Sequence, residues 1–308
     1  MRVTVLAGGY GGSRFALAVA ETVGAGSLTV IGNVGDDLEV LGLHVSPDLD
    51  SIVYTLAGVF DHERGWGRAD ESWNALEEVG RLGGEDWFRV GDRDLGLHLV
   101  RTVALRGGER LSAVTARLTA AFGVEANVLP ATDDLLRTRV HTPAGELSFQ
   151  EWFVARRHED PVNEVVYAGA ESAEPAPGVV EALDGADLIA LAPSNPYMSI
   201  GPILAVPEVR HALERRRVPC VAVSALIGGK TVKGPADSML ERLAGGTSPR
   251  HVAACYPGLI DALVIDEADA DEGDDAGVPC IVTRTLMSDA PARRRVAEAA
   301  LDAAAVPR

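Results

Sequence analysis

Short apolar runs that break off in Gly, Asn, Pro or Ser constrain this chain more than any other feature. They are RVTVLAGG, SLTVIGN, DLIALAPSNP, VPCVAVSAL, ALVIDEAD and VPCIVTRTLM, and stretches of helical spacing separate many of them. A run that is apolar at consecutive positions suits a strand covered on both faces, and an intervening helix carries the chain back to start the next parallel strand. The expected fold is α/β: a doubly wound, mainly parallel sheet of Rossmann-like type, read as a single domain over 1–308.

Between about 60 and 125 the rhythm changes. ADESWNALEEVGRLGG and DRDLGLHLVRTVALRGGERLSAVTARLTAAFG carry helical spacing, with Trp66, Trp73 and Trp87 close by, which predicts a helical insertion or cap. TRVHTPAGELSFQEWFV then alternates around Pro-Ala-Gly as a β-hairpin does. APARRRVAEAALDAAAV predicts a closing helix, and no internal repeat is present.

The first apolar run leads into Gly8, Gly9, Gly11 and Gly12 and then into a helical pattern. A dinucleotide fingerprint needs Gly-x-Gly-x-x-Gly and an acid at the end of the second strand. Counted from Gly9 the third glycine would fall on Arg14, and the second strand ends in Asn33. A Walker loop is excluded as well, because the only Gly-Lys-Thr, Gly229 to Thr231, has Ser224 where the first glycine belongs. A strand, a glycine turn and a helix start remain. They aim unpaired N–H groups and a positive helix end at one point and suit a phosphate, although a turn needing positive φ and close helix packing would use the same residues.

Immediately downstream, NVGDDLEVLGLHVSPDLDSIVYTL places Asp36, Asp37, Asp48 and Asp50 within fifteen residues. Carboxylates on a loop beside a phosphate cradle are the oxygen ligands Mg²⁺ takes in phosphoryl transfer. The alternative is a set of turn and cap residues, with Asp50 as the N-cap of SIVYTLAGVF. Further on, LAPSNPYMSIGPIL offers Ser194, Asn195 and Ser199 as donors and Gly201 for backbone approach, stiffened by Pro193, Pro196 and Pro202.

Charge narrows the partners. With 45 acids against 28 bases the net charge is −17, which opposes non-specific binding to nucleic acid or to anionic membranes. No apolar stretch is long enough for a membrane span, and RVTVLAGG lacks the plan of a secretory signal, so a cytoplasmic protein is expected. Only two of the 28 bases are lysine, Lys230 and Lys233, both in GGKTVKGP. That loop either holds a phosphate or carboxylate or is an ordinary surface turn. Cys220, Cys255 and Cys280 have no metal-ligand spacing and read as buried thiols, while EADADEGDDAG reads as a solvated acidic turn.

Taken in order, AGGYGG, NVGDD, SPDLDSIVYTLAG, RGWG, DWFRVGDRDLGLHLVRT, FQEWFVARR and APSNPYMSIGPIL resemble the 2-phospho-L-lactate transferase family, known in bacteria as phosphoenolpyruvate transferase. The likeness runs from about residue 1 to 235, and the later strands follow suit. It implies an enzyme of coenzyme F-420 biosynthesis. Such an enzyme moves a phosphorylated three-carbon acid, phosphoenolpyruvyl or 2-phospho-L-lactyl, from a guanosine-diphosphate-activated donor to the ribityl hydroxyl of the deazaflavin Fo (7,8-didemethyl-8-hydroxy-5-deazariboflavin). GMP is released. The resemblance further implies Mg²⁺ and a homodimer.

On that reading Asp36, Asp48 and Asp50 serve metal binding, and Asp48 and Asp50 hydroxyl activation. Gly8, Gly9, Gly11, Gly12, Asn33, Ser194, Asn195, Ser199, Gly201, Pro202 and Lys230 hold nucleotide and diphosphate. Trp66, His98 and Arg101 wall the Fo pocket, under a helical insertion at 60–125, although core packing explains the tryptophans almost as well. The competing reading is a regulatory protein of the same fold that binds a nucleotide sugar without transferring anything; DWFRVGDRDLGLHLVRT and FQEW suit an Fo cap and are not expected in such a regulator.

Overall fold

The computed structural model describes residues 1–303. Seven strands form the central sheet: β1 (Val3–Ala7), β2 (Leu28–Gly32), β3 (Asn127–Pro130), β4 (Leu188–Leu191), β5 (Cys220–Val223), β6 (Ala262–Asp266) and β7 (Cys280–Thr283). All neighbours pair in parallel, in the order β7-β6-β5-β4-β1-β2-β3. The six apolar runs of the sequence are six of these strands, so the doubly wound α/β fold is as expected. β3 is the exception: four residues with an exposed first position carry too little apolar signal to stand out.

The chain winds outward from β1 to β2 and β3, then starts again on the other side of β1 with β4. That reversal leaves a crevice beyond the carboxyl ends of β1 and β4, where no crossover blocks a ligand. Every loop of interest opens there. Gly8 follows β1, Asn33 follows β2, and Pro193 and Ser194 follow β4.

Helix α1 (Gly9–Val23) buries Phe15, Ala16, Val19 and Ala20 and packs on α2 (Pro47–Leu56) and on the last described helix, Ala290–Asp302. Leu6, Phe15, Ile31, Leu49 and Ile52 are fully buried in the same core. The expected closing helix runs on to Val306 in sequence; residues 304–308 lie outside the described ones.

Between 60 and 125 three helices form: α3 (Asn74–Arg81), α4 (Asp92–Arg106) and α5 (Leu111–Ala121). α5 packs on β3, and Tyr54, Phe60, Leu97, Ala104, Val114 and Leu118 make a second small core. The hairpin at Pro-Ala-Gly is present, Arg137–Thr142 against Gly145–Ser148, with Glu164–Ala168 as a third strand on the other side of the first.

Three details differ from expectation. The aspartate loop contains a hairpin of Leu38–Val40 and Leu43–Val45, turned by Leu41 and Gly42 at φ 52° and 73°, because a tight two-residue turn needs positive φ at both central positions. Asp50 is not an N-cap: α2 begins at Pro47 after Ser46, which puts Asp50 inside its first turn, and the helix stops at Leu56. The acidic run is a 3₁₀ segment, Glu267–Ala276, rather than a purely solvated turn, and Asp269 within it is buried. All three cysteines are free, Cys220 buried and the other two half-buried. No helix among the described residues is long and apolar enough to cross a membrane.

Candidate active site

Gly8 is the point on which the loops converge. A side chain there would run into Asp48 Oδ2, Ser199 Cβ and Asn33 Cβ at once, so only glycine lets the three loops meet. The next residue, Gly9, has φ +65°, a conformation that costs a side-chain-bearing residue but not glycine. Gly11 and Gly12 close the turn against Pro193 O and Ser194 Oγ in the same way. Ser194 Oγ donates to Gly8 O at 2.8 Å, tying the end of β4 to the end of β1. Gly8 caps α1 without a side chain, so N–H groups at the positive end of that helix point into the crevice.

Two carboxylates stand beside this turn. Asp48 accepts from Gly9 N at 2.8 Å and from Asn33 Nδ2 at 2.9 Å; Asn33 in turn donates to Met198 O and accepts from Gly35 N. Burial pushes the Asp48 carboxyl up to about 6 despite those hydrogen bonds. Asp36 is raised well above the carboxylate range, first by burial and then by the charge of Asp48, and its Oδ1 is buried with no hydrogen-bond partner. Asp37 is occupied elsewhere, accepting from Ser46 Oγ at 2.8 Å and facing His44 Nε2 at 3.0 Å.

Asp50 does not join this pair. Arg101 grips both of its oxygens, Nη1 on Oδ2 at 3.0 Å and Nη2 on Oδ1, and His98 Nδ1 lies 3.8 Å from Oδ2. All three side chains are buried, and burial lowers the His98 imidazole to about 4, which keeps the ring neutral. Among the described residues no group of three or more His, Cys, Asp or Glu could hold a metal ion, so the expected convergence of three aspartates is a pair plus an ion-paired neighbour.

A cavity of about 660 Å³ runs from the glycine turn to the helical block. Gly8, Gly9, Gly11, Asp36, Asp48, Asp50, Ser194, Asn195, Ser199, Trp66 and His98 all line it. Six expected site residues do not. Gly12 and Asn33 stand behind the lining and brace it. Gly201 packs against the Tyr167 hydroxyl and Pro202 against Gly35. Arg101 sits behind Asp50, and Lys230 is exposed, 3.4 Å from Asp237.

Lys233 is the lysine that reaches the cavity. Residue type alone could not separate the two, since the Leu226–Ile227/Lys230–Thr231 hairpin decides which one turns inward. Asn195 has a structural task in addition, its Oδ1 accepting from Tyr197 N and Met198 N. Sequence reading passed over Tyr10, Arg14, Tyr54 and Asp94, which also line the cavity. Tyr54 OH donates to Asp94 at 2.8 Å, and burial lifts Asp94 to about 6. The far wall adds Trp87, Phe88, Phe149 and Phe153, the last two rings stacked 5.2 Å apart.

The family model described as 2-phospho-L-lactate transferase CofD matches residues 3–276. This chain belongs to the CofD family. Its relatives include a Streptomyces coelicolor protein named phosphoenolpyruvate transferase, 43% identical, with 98% of this chain and 97% of the relative covered. Proteins of the same name from Streptomyces griseus subsp. griseus and Mycobacterium tuberculosis are 42% and 41% identical over 99% of this chain and 98% and 99% of theirs. As a CofD family member the chain is a transferase. Among solved structures, a Bacillus halodurans protein of the upf0052 family superimposes with a TM-score of 0.65 at 17% identity, over 97% of this chain and 98% of its own. That likeness shows the shared fold.

Proposed function

We propose that this chain transfers a phosphorylated three-carbon acid, phosphoenolpyruvyl or 2-phospho-L-lactyl, from a guanosine-diphosphate-activated donor to the ribityl hydroxyl of Fo, releasing GMP, in cytoplasmic coenzyme F-420 biosynthesis. One observation carries the reading: a single cavity joins the glycine turn, the Asp36–Asp48 pair and an aromatic wall. Diphosphate suits the α1 N-terminus, and a flat tricyclic ring suits Trp66, Trp87 and Phe88.

The residues also fit Mg²⁺. Two buried carboxylates, both raised by burial, with the charge of Asp48 lifting Asp36 further and one Asp36 oxygen unpartnered, form a site that a hard cation would stabilise. Asp36 and Asp48 would hold it, and it would supply positive charge at the phosphoryl oxygens. Asp50 is already neutralised by Arg101 and stays a wall residue beside His98.

The chain's own share is positioning. The glycine turn fixes the diphosphate, and the aromatic wall brings the ribityl hydroxyl to it, which is most of what phosphoryl transfer asks of a protein. Asp48 is the carboxylate that would accept the hydroxyl proton, and burial makes it the more basic for that before any metal binds. A homodimer suits the exposed Leu99, Val100 and Val103 on α4. Titrating the protein with fluorescent Fo, with and without GDP and Mg²⁺, tests the acceptor directly: a change in anisotropy is expected, and none under any condition would remove the proposal.

A further inference from the structure

Lys233 reaches across the cavity mouth to a segment 168 positions earlier in the chain. Its Nζ donates to Gly65 O at 2.9 Å and to Arg64 O at 3.2 Å, and lies 5.3 Å from the ring centroid of Tyr10, in the first turn of α1. Gly65 has φ +72°, and a Cβ there would collide with Nζ, so a glycine leaves the space the ammonium fills.

The two pieces joined by this contact are each internally tied. In the 61–67 turn, Gly65 N donates to Asp61 O at 2.9 Å, Asp61 N to Gly67 O at 3.0 Å and Arg64 N to Asp61 Oδ1 at 2.8 Å. That turn carries Trp66 into the cavity wall. On the other side, buried Asp269 accepts from Gly228 N at 3.0 Å and Gly229 N at 2.8 Å, anchoring the hairpin that leads into Lys233. The 61–67 turn is also held on its own side, by the Phe60–Arg68 bridge at its base and by Trp66 against Trp73 at 5.7 Å, so Lys233 is its tie to the opposite side of the cavity mouth.

We propose that Lys233 is an anion-released latch: its ammonium exchanges the Arg64 and Gly65 carbonyls for a phosphate or carboxylate bound at the glycine turn, and so frees the 61–67 turn and Trp66. The ammonium lines the same cavity as the glycine turn, over the Tyr10 ring, and an anion bound there would attract it by a full opposite charge, which the two carbonyls do not carry. The consequence is an order of events, with the anionic substrate opening the way for the flat one. Both the anion at the glycine turn and the flat second substrate rest on the proposed function.

Hydrogen exchange at 61–68 tests the latch without Fo and without catalysis, in the full chain. Lys233→Met keeps the apolar stem and removes the charge; exchange there should be about five- to tenfold faster than in the parent, with Lys233→Arg close to the parent. Saturating the parent with GDP or inorganic pyrophosphate, with binding confirmed by calorimetry, should speed the same amides by a similar factor, and Lys233→Met should no longer respond. Equal exchange in parent and Lys233→Met overturns the latch. Unchanged or slower exchange in the saturated parent, or no binding of either probe, overturns the release, and this arm stands even if the variant fails to fold. Failure of the transferase reading shows separately, as absence of product from Fo.

Discussion

Asp48 accepts the Gly9 N–H on one carboxylate oxygen and the Asn33 amide N–H on the other, at 2.8 and 2.9 Å. The side chain that supplies charge to the site thus also fixes the turn at the end of β1 and the residue at the end of β2. Asp48→Asn can still accept from Gly9 but turns a second N–H toward Asn33. Circular dichroism should be unchanged, with a stability loss of about 1–3 kcal/mol. Turnover should fall at least ~10²-fold, the usual effect of losing one charge-stabilising group. Turnover within tenfold of the parent would remove Asp48 from the chemistry.

Arg101 and Asp50 form a buried pair, so removing one partner strands the other. Arg101→Met should cost about 3–5 kcal/mol in urea denaturation. The double variant Arg101→Met, Asp50→Asn should recover a large part of that loss, because no uncompensated charge is left. Equal losses in the single and double variants would contradict the pairing.

Burial lowers His98 from 6.5 to about 4, so the fold favours the neutral ring. The unfolded chain takes up a proton once the pH drops below about 6.5, while the folded one does not until about 4. Stability from this source is therefore complete above pH 6.5 and lost as the pH falls toward 4. Between pH 7 and pH 5 the parent should lose about 2 kcal/mol more than His98→Gln. Identical pH dependence of the two proteins in urea denaturation would show that His98 titrates normally.

Nucleotide choice gives another check. GDP at about 100 times its dissociation constant should stabilise the fold by roughly 2.7 kcal/mol, while NAD and UDP-N-acetylglucosamine should not. A thermal shift with UDP-N-acetylglucosamine and none with GDP would favour the regulatory reading over the transferase.

Much of this was legible in the sequence, because the sheet strands are continuous apolar runs and the crevice loops carry glycine and proline where the backbone must turn sharply. β3 escaped because it is short and its first residue is exposed. The site was legible as a set of loops rather than as partnerships. Sequence puts Asp36, Asp48 and Asp50 on equal terms; Arg101, 51 positions from Asp50, is what separates them. Spacing likewise could not decide between Lys230 and Lys233, nor place Tyr54 against Asp94, because those choices depend on packing between segments distant in the chain.

Mass measurement of the product is the direct test of the transfer. The purified chain is incubated with Fo, Mg²⁺ and a guanosine-diphosphate-linked phosphoenolpyruvyl or 2-phospho-L-lactyl donor. Fo should gain the mass of the phosphorylated acid on its ribityl arm, with GMP released in equal amount and product forming at least ~10²-fold more slowly with Asp48→Asn. Unmodified Fo beside an intact donor, from a protein shown to bind both, would contradict it.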